Sequence, residues 1–280
     1  MNIYGNMLDD IILNALREDV GTGDITTETT IPQGRTVHGL YRAKEAGVLC
    51  GLGVTERVFK LINPTIEFKP LMTDGDRVKV GDIIAEVHGP AGDVLTGERT
   101  GLNLMQRMSG IATRTAEAVK QVEGTGSKIC DTRKTTPGLR ILEKYAVRVG
   151  GGTNHRFNLA DGILIKDNHI VAAGSITAAV KAARANAPHT LKIEVEVETF
   201  EQLDEALAAG ADIIMLDNMS CADMKRAVEI VAGRAITEAS GNMGDRNLAE
   251  VAACGVDLIS IGALTHSVRA LDISLKFTIE

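Results

Sequence analysis

The amino-acid sequence predicts an α/β protein of two domains, a parallel β/α barrel in residues 111–280 and a smaller domain in residues 1–110. From about Lys128 onward, β-branched runs alternate with Ala-rich helical stretches about every 20 to 30 residues, which is typical of parallel βαβ units. Before residue 110, short runs are separated by turns that contain Asp and Gly, which is typical of an antiparallel sheet. This change in pattern predicts the two domains.

Six runs in the second part are predicted strands, and five stretches between and beside them are predicted helices. Gly210, Gly233 and Gly255 stand where helices should end, because glycine adopts the left-handed cap conformation at no steric cost. The spacing fits a barrel, complete or incomplete, better than a flat doubly wound sheet, but spacing alone does not separate the two. The strands are 128–132, 162–167, 191–198, 211–217, 234–240 and 256–262, and the helices are 138–149, 175–187, 201–209, 222–231 and 246–254.

The first part reads as a mostly antiparallel sheet, followed by a helix from about Leu95 to Val122 that leads into the barrel. Its stretch DGDRVKVGDIIAEVHGP also resembles half of a lipoyl-carrier domain. A carrier would need a lysine at a hairpin tip between hydrophobic residues, and none stands there. The sequence therefore argues against a carrier role.

Composition limits the partners and the compartment. A net charge of −7, no Trp and no Lys/Arg-rich block make nucleic acid an unsuitable partner. Four cysteines stand singly, which favours a reducing compartment. The first 20 residues carry acids within an apolar stretch, so they read as an amphipathic helix, and no apolar run reaches the roughly 20 residues of a membrane span. We expect a soluble, cytoplasmic protein.

Cationic side chains concentrate at predicted strand ends, where the ligands of parallel β/α folds bind. Between residues 131 and 169 there are seven Lys/Arg against four Asp/Glu, a local balance of +3 in an acidic chain. Lys144 and Arg148 are interpreted as solvated residues on the polar face of their helix. Four other cations predict either a site for an anionic ligand or an internal salt-bridge network. They are Arg133 and Lys134 after the first strand, Arg156 beside His155 before the second, and Lys166 at its end.

Acidic side chains are predicted to face these cations. In the strand 191–198, Lys192, Glu194, Glu196 and Glu198 share one face by alternation, and the apolar residues share the other. Because the apolar face must meet the surrounding helices, the glutamates should point into the barrel, near Asp217 at the end of the next strand. Such carboxylates could balance the cations, bind ribose hydroxyls or hold Mg²⁺.

Small residues at the last two strand ends predict a phosphate-binding turn. The segments 240–242 and 262–263 expose backbone N–H groups before helical stretches. Together with the charges, they suit a phosphorylated sugar and a carboxylate-bearing molecule. Two reaction classes remain open from the residues alone: group transfer by positioning and electrostatics, or a Schiff-base aldolase that uses Lys166 or Lys134.

Several long motifs together resemble the quinolinate phosphoribosyltransferase family. They are REDVGTGDITTE, GERTGLNLMQRMSGIAT, DTRKTTPGLRILEKYAVRVGGGTNHRFNLADGILIKDNHI, EVEVETFEQLDEALAAGADIIMLDNMS, EASGN and ISIGALTHSVRALDISLKF. The resemblance implies an amino-terminal α/β sandwich domain, on which the last residues pack back, and an open, incomplete barrel of about seven strands. It implies the reaction of quinolinate with phosphoribosyl pyrophosphate and Mg²⁺, which yields nicotinate mononucleotide, pyrophosphate and CO₂ for NAD biosynthesis.

The resemblance also implies a homo-oligomer, a dimer or a hexamer of dimers, in which Arg99 reaches the partner subunit's site. Lys134, Glu196 and Asp217 would be catalytic, with Lys134 on the pyrophosphate side and a candidate proton donor after decarboxylation. Mg²⁺ would be held mainly through the substrate pyrophosphate, with Glu196 and Asp217 as the protein ligands. The implied substrate-binding set is Arg99, Thr132, Arg133, Lys134, His155, Arg156, Lys166, Glu196, Asp217, Ser240, Gly241, Asn242, Ile261, Gly262, Ala263 and His266.

Within this set, Arg99, Arg133, His155, Arg156 and Lys166 would hold the two quinolinate carboxylates. One residue departs from the family pattern, because Asn242 stands where a second glycine is usual. Asn tolerates the left-handed conformation well, so we expect the turn to survive. Three alternatives stay open: a sister phosphoribosyltransferase that acts on nicotinate or another carboxylated ring, a Schiff-base aldolase, and a non-catalytic metabolite-binding protein.

Overall fold

The computed structural model describes residues 6–278, which form the helices and strands given next in chain order. The helices are α1 (Asn6–Val20), α2 (Ile25–Thr30), α3 (Leu52–Ile62), α4 (Ala91–Gln121), α5 (Arg140–Val149), α6 (Asp167–Ala173), α7 (Ile176–Asn186), α8 (Phe200–Ala209), α9 (Cys221–Val231), α10 (Leu248–Ala252) and α11 (Ala263–His266). The strands are β1 (Thr36–Ala43), β2 (Gly47–Val48), β3 (Glu67–Pro70), β4 (Arg77–Val78), β5 (Ile83–Pro90), β6 (Lys128–Cys130), β7 (Ile163–Ile165), β8 (Ile193–Val197), β9 (Ile213–Asp217), β10 (Ile236–Ser240), β11 (Leu258–Ser260) and β12 (Ile273–Thr278).

The described chain forms two compact units, and it passes between them more than once. The first unit contains the described residues up to 116, residues 136–151 and the residues from 267 onward. The second contains residues 117–135 and 152–266. Helix α5 and strand β12 therefore belong to the first unit, although both lie beyond residue 110 in the sequence. Over residues 6–278, no helix has both the length and the apolar character that a bilayer crossing requires.

The first unit is built on a four-stranded antiparallel sheet in the order β12-β1-β5-β3. The sheet brings together the aromatic side chains of Tyr41 and Phe68, with ring centroids 5.7 Å apart, and Phe59 of α3 stacks on Phe68 at 6.0 Å. Tyr41 and Phe59 are fully buried. Burial of such large side chains is the main favourable contribution to a small core. The antiparallel sheet that the turn pattern predicts is confirmed.

Helix α5 corrects one prediction from the sequence. Lys144 was expected to be solvated, but its residue is only 1% exposed, so that interpretation is wrong, whereas Arg148 is exposed as expected. The reason is that α5 buries residues all along its length, including both charged residues at 143 and 144, so it has no polar face at Lys144. A helix of ten residues that is covered on more than one side does not follow the simple amphipathic pattern.

Glu143 of α5 is a buried carboxylate that is fully engaged. One of its oxygens accepts hydrogen bonds from Arg107 Nε at 2.9 Å and Arg107 Nη2 at 2.6 Å. Its second oxygen accepts a bond from the Thr136 backbone N–H at 3.0 Å. These contacts join α4 to α5 and to the segment that precedes α5, all within the first unit.

The second unit contains a six-stranded parallel sheet in the order β6-β11-β10-β9-β8-β7. All six strands predicted from the sequence are confirmed, and the helices between them are present. Successive strands β7 to β11 lie side by side without the reversal that marks a doubly wound sheet, so the flat alternative is wrong. The sheet is an open barrel with its seam between β6 and β7. The family resemblance implies about seven strands. The parallel sheet has six, and a one-residue parallel bridge joins Thr153 to Cys130 of β6.

We expect Arg107→Met to lower the free energy of unfolding by about 3–5 kcal/mol, because it leaves the Glu143 carboxylate buried without its cation. Chemical denaturation measures this change. The matched control is Arg57→Met, which removes the exposed Arg57–Asp9 ion pair (2.6 Å) and should cost less than about 1 kcal/mol. Equal losses in the two variants would contradict the assignment of Glu143 as a buried, charge-paired carboxylate.

Candidate active site

A cavity of about 490 Å³ lies at the carboxyl ends of the parallel strands, within the second unit. The ends of parallel strands meet at one edge of a sheet, so side chains that are distant in the sequence converge there. The cavity is lined by Thr132, Arg133, Lys134, His155, Arg156, Leu164, Lys166, Glu196, Met215, Asp217, Asn218, Glu238, Ser240, Gly241, Asn242 and Ser260.

Most of the residues that the sequence singles out line this cavity. Four of the others, Ile261, Gly262, Ala263 and His266, lie just beyond its wall at the end of β11 and in α11. A Cβ atom at Gly262 would lie 2.9 Å from Lys134 Cδ, which places this turn directly beside a wall residue. Arg99 is an exposed residue of α4 and belongs to the first unit.

Two arginines place like charges on the same wall. The pKa of Arg156 is lowered, first by burial and then by the neighbouring charge of Arg133, while the carboxylate of Glu194 acts in the opposite direction. Arg156 Nη1 donates a hydrogen bond to the Gly162 carbonyl at 3.0 Å, which fixes the side chain. Cations held close together in this way are stabilised by an anionic ligand, which would relieve their repulsion.

Lys166 and Glu196 form an ion pair inside the cavity. The pair follows from the strand register: Ile165 of β7 pairs with Val195 of β8, so the next residues of the two strands stand side by side. Lys166 thus has an ion-pair partner in the structure, and the pair also lines the cavity. Asp217, at the end of β9, accepts a hydrogen bond from Asn218 Nδ2 at 2.7 Å.

The turn after β10 has positive φ angles at two successive residues. Gly241 has φ +94°, and a Cβ atom there would lie 2.2 Å from Asn218 Oδ1 and 2.8 Å from the Asn218 backbone nitrogen. Only glycine fits this position. Asn242 follows with φ 51° and ψ 27°, so the expectation that it adopts glycine-like angles is confirmed. The chain then turns through a 3₁₀ segment, Met243–Asp245, before α10.

Three ionisable groups meet below the cavity, between the strands. His155 Nε2 lies 3.1 Å from Glu194 Oε2 and 3.7 Å from Glu238 Oε1. Glu194 is 4% exposed and Glu238 is 1% exposed. Burial, followed by the charge of Glu194, raises the pKa of Glu238 to about 7, against the opposing effect of His155. Glu238 therefore holds a proton for much of the time near neutral pH.

The buried carboxylate of Asp131 positions the loop that carries His155. Asp131 is fully buried at the end of β6. Its Oδ1 accepts a hydrogen bond from the His155 backbone N–H at 2.9 Å, and its Oδ2 accepts one from Asn154 Nδ2 at 2.6 Å. The loop that carries the His155 and Arg156 side chains is thus held by a charge-assisted contact to a strand end.

Sequence reasoning missed Glu238, Ser260 and Asn218 as residues of this site. The signal for Glu238 was present, because it stands two residues before Ser240 in a run of otherwise small and apolar residues. By strand alternation it must share the inward face with Ser240. Asn218 carried no comparable pattern, since its part in the site depends on a left-handed backbone (φ 55°) and on contact with Gly241.

The fold and the cavity define a class of enzyme: an open β/α barrel that binds a multiply anionic small molecule at its strand ends. The quinolinate phosphoribosyl transferase family matches with both of its domains, the N-terminal over residues 24–109 and the C-terminal over residues 111–276. The chain belongs to this family.

Relatives of known name agree with this assignment. The chain is 50% identical to the probable nicotinate-nucleotide pyrophosphorylase (carboxylating) of Bacillus subtilis, over 94% of this chain and 90% of that protein. It is 47% identical to the nicotinate-nucleotide pyrophosphorylase (carboxylating) of Mycobacterium leprae, over 95% of each. The crystal structure of NadC from Streptococcus pyogenes matches with a TM-score of 0.93 at 46% identity and covers 99% of both chains.

We expect Asn242→Gly to keep the stability of the protein and its affinity for ribose 5-phosphate. Asn242→Val should lose about 1–2 kcal/mol of unfolding free energy, because a β-branched residue is strained at positive φ. It should also bind ribose 5-phosphate less tightly than Asn242→Gly. Chemical denaturation and titration calorimetry measure the two effects. Equal stability and equal affinity in the glycine and valine variants would show that this backbone conformation is not required.

Proposed function

We propose that this chain transfers the phosphoribosyl group of phosphoribosyl pyrophosphate to quinolinate, with loss of CO₂, to form nicotinate mononucleotide and pyrophosphate. The observation that carries the proposal is the cationic wall of the cavity, where Arg133, Arg156 and Lys166 stand together. A ring with two adjacent carboxylates matches this charge. The family to which the chain belongs supports the same reaction.

The arginines suit carboxylates better than lysines would. A guanidinium offers paired N–H donors in the plane of a carboxylate, and the repulsion between Arg133 and Arg156 falls when anionic groups lie between them. The same wall also reduces the repulsion between two anionic substrates, so that they can approach within reacting distance. Lys166 can contact the ligand while it remains bonded to Glu196.

The carboxylates on β8 and β9 suit the ribose. As pyrophosphate leaves, positive charge develops at the anomeric carbon, which the ring nitrogen of quinolinate attacks. Glu196 and Asp217 lie at the carboxyl ends of neighbouring strands and line the cavity, so their negative charges can stabilise that carbon. The turn at 240–242 would take the 5′-phosphate, and Lys134, beside Gly262, would contact the pyrophosphate.

Mg²⁺ is the cofactor that we propose. Glu196 and Asp217 offer the oxygen ligands that this ion prefers, and one or two carboxylates are enough when substrate phosphates complete the coordination. The donor set in the cavity therefore fits the ion. When bound, Mg²⁺ would neutralise charge on the pyrophosphate. The chain's own residues hold and orient the substrates around it.

A Schiff-base mechanism that uses Lys166 is less well supported by the same geometry. Lys166 is ion-paired with Glu196, and a lysine must leave such a pair and lose its proton before it can attack a carbonyl group.

We also propose a cytoplasmic location. All four cysteines lie in the described part of the chain and are thiols rather than disulfides, which suits a reducing compartment.

We further propose that the active form is a homo-oligomer in which Arg99 completes the partner subunit's site. Arg99 is exposed on α4, so its guanidinium is available to another molecule. The dicarboxylate clamp that the family resemblance implies needs this fifth cation. A dimer is the smallest assembly that could supply it.

The direct test mixes the protein with quinolinate, phosphoribosyl pyrophosphate and Mg²⁺ and follows nicotinate mononucleotide by chromatography. We expect product from quinolinate and not from nicotinate, because the wall provides charge for two carboxylates. Product from nicotinate alone would favour a sister transferase. Trapping of a substrate by borohydride would favour an aldolase, and binding without turnover would indicate a metabolite-binding protein.

Arg156→Ala tests the wall in the same assay. We expect it to fold normally but to lose about 2–5 kcal/mol of quinolinate binding, since it leaves a buried ligand carboxylate without its partner. Arg226→Ala is the matched control, because Arg226 is exposed on α9 and stacks over Phe200, 4.2 Å from the ring centroid, outside the cavity. Near-normal turnover in Arg156→Ala would remove that residue from the site.

Subunit mixing tests the role of Arg99. The variants Arg99→Ala and Arg156→Ala should each be nearly inactive alone. After they are unfolded together and refolded, hybrid dimers should contain one intact site, which restores up to about a quarter of wild-type activity. No recovery from two inactive variants, with hybrid formation shown by mass spectrometry, would mean that Arg99 acts within its own subunit. Full activity of Arg99→Ala alone would mean that Arg99 has no part in the site.

A further inference from the structure

The cluster of His155, Glu194 and Glu238 holds two buried carboxyl groups against one imidazole. Oε1 of Glu194 and Oε1 of Glu238 are buried side-chain oxygens that have no hydrogen-bond partner in the described structure. A buried carboxylate oxygen without a donor is costly unless the group carries a proton or meets a ligand. Two carboxylates beside one histidine could therefore hold either a metal ion or a proton.

The histidine decides between the two. The Arg156 backbone N–H donates a 2.7 Å hydrogen bond to His155 Nδ1, so that nitrogen carries a lone pair and no proton. The ring proton must then be on Nε2, which faces Glu194 at 3.1 Å. Metal binding at Nε2 would require that proton to move to Nδ1, to which the Arg156 N–H already donates. The cluster is therefore a site that holds a proton. The proton is on the glutamate whose anionic form is less stabilised by its surroundings.

Glu238 is that acid, and it reaches the cavity. It lines the wall with Arg133, Arg156 and Lys166, whereas Glu194 does not. The groups that face Glu238 are Glu194 of β8, His155 of the loop before β7, Lys166 after β7, and the Ser260 hydroxyl of β11, while β9 contributes the uncharged Met215. Of these, Glu194 favours the protonated form of Glu238, and its effect follows only that of burial.

A second cavity lies on the other side of the cluster. It has a volume of about 530 Å³, and its wall includes His155, Glu194 and Glu238. Part of the wall comes from the amino-terminal ends of the strands, including Lys128, Ile163, Ile213 and Leu258, and Arg156 lines both cavities. Glu238 thus stands between two spaces in the open barrel, one at each end of the strands.

We propose that Glu238 is the acid that gives a proton to the ring carbon from which CO₂ departs. This step rests on the proposed function. The bond between that carbon and its carboxylate breaks, the electron pair stays on the carbon next to the cationic ring nitrogen, and CO₂ leaves. The carbon then forms a bond to the proton of Glu238. The resulting carboxylate faces His155 and takes a new proton from water through the second cavity.

The other wall groups are poorer donors for this proton. A guanidinium group is in general too weak an acid for this step, and Lys166 is hydrogen-bonded to Glu196. Lys134 lies beside Gly262, at the turn that follows β11, and would be occupied by pyrophosphate. A general acid works best when its pKa is near the operating pH, and burial beside Glu194 brings Glu238 to that condition.

The test compares Glu238→Gln and Glu238→Asp with the wild type in three measurements: quinolinate binding, pyrophosphate release and nicotinate mononucleotide formation. We expect Glu238→Gln to bind quinolinate normally and to form product about 100-fold more slowly, since proton transfer commonly contributes that much. In a single turnover it should accumulate the transferred nucleotide that still carries both carboxylates, because the carbanion recombines with CO₂. Glu238→Asp, which keeps an acid, should be faster than Glu238→Gln.

A pH profile separates this role from a structural one. Glu238 acts as an acid, so kcat should fall as the pH rises through its pKa. Glu194→Gln removes the charge that helps to raise that pKa, so the fall should begin at lower pH while the rate at low pH is retained. The pH profile of Glu194→Gln tests the role of Glu238 even if Glu238→Gln does not fold.

The outcomes are distinct. Wild-type rates in Glu238→Gln, or an unchanged pH profile in Glu194→Gln, would overturn the role of Glu238. A wild-type protein that forms no nicotinate mononucleotide from quinolinate would instead overturn the proposed function.

Discussion

The active site depends on holding cations next to one another before a ligand is present. Arg133 and Arg156 repel each other, and the barrel compensates with carboxylates at the ends of neighbouring strands. Lys166 is neutralised by Glu196, and the loop that carries Arg156 is held through Asp131. Parallel strands make this arrangement possible, because their carboxyl ends meet at one edge. An anionic ligand then enters a site whose geometry is already fixed, so little binding energy is lost in ordering side chains.

The four buried carboxyl groups of the described residues fall into two pairs with different surroundings. Glu143 and Asp131 have donors for both oxygens, and these hydrogen bonds join elements of the fold. Glu194 and Glu238 each retain an oxygen without a donor, and they lie together. In the first case hydrogen bonds balance the cost of burial, and in the second burial beside Glu194 favours the protonated form of Glu238. Counting donors therefore separates structural acids from chemically active ones.

Much of the fold follows from the sequence, because the period of β-branched runs and helix-ending glycines is local information. The six parallel strands and the turn at Gly241 and Asn242 could be predicted for this reason. The burial of Lys144 could not, since it depends on what covers α5 from outside that helix. The same holds for the Lys166–Glu196 pair and for the cluster around Glu238, which depend on the register between strands and on a loop that folds over their ends.

The seam of the barrel has a consequence for how the protein behaves in a crowded solution. An open sheet has two edges, and an exposed edge can pair with the edge of another molecule and begin aggregation. Here both edge strands, β6 and β7, have only three residues each. Along β6, Thr153 takes the place of a neighbour: its N–H donates to the Ile129 carbonyl, and its carbonyl accepts from Asp131 N–H. The edge strand of another molecule would find few free backbone groups with which to pair, so the barrel can stay open without promoting aggregation.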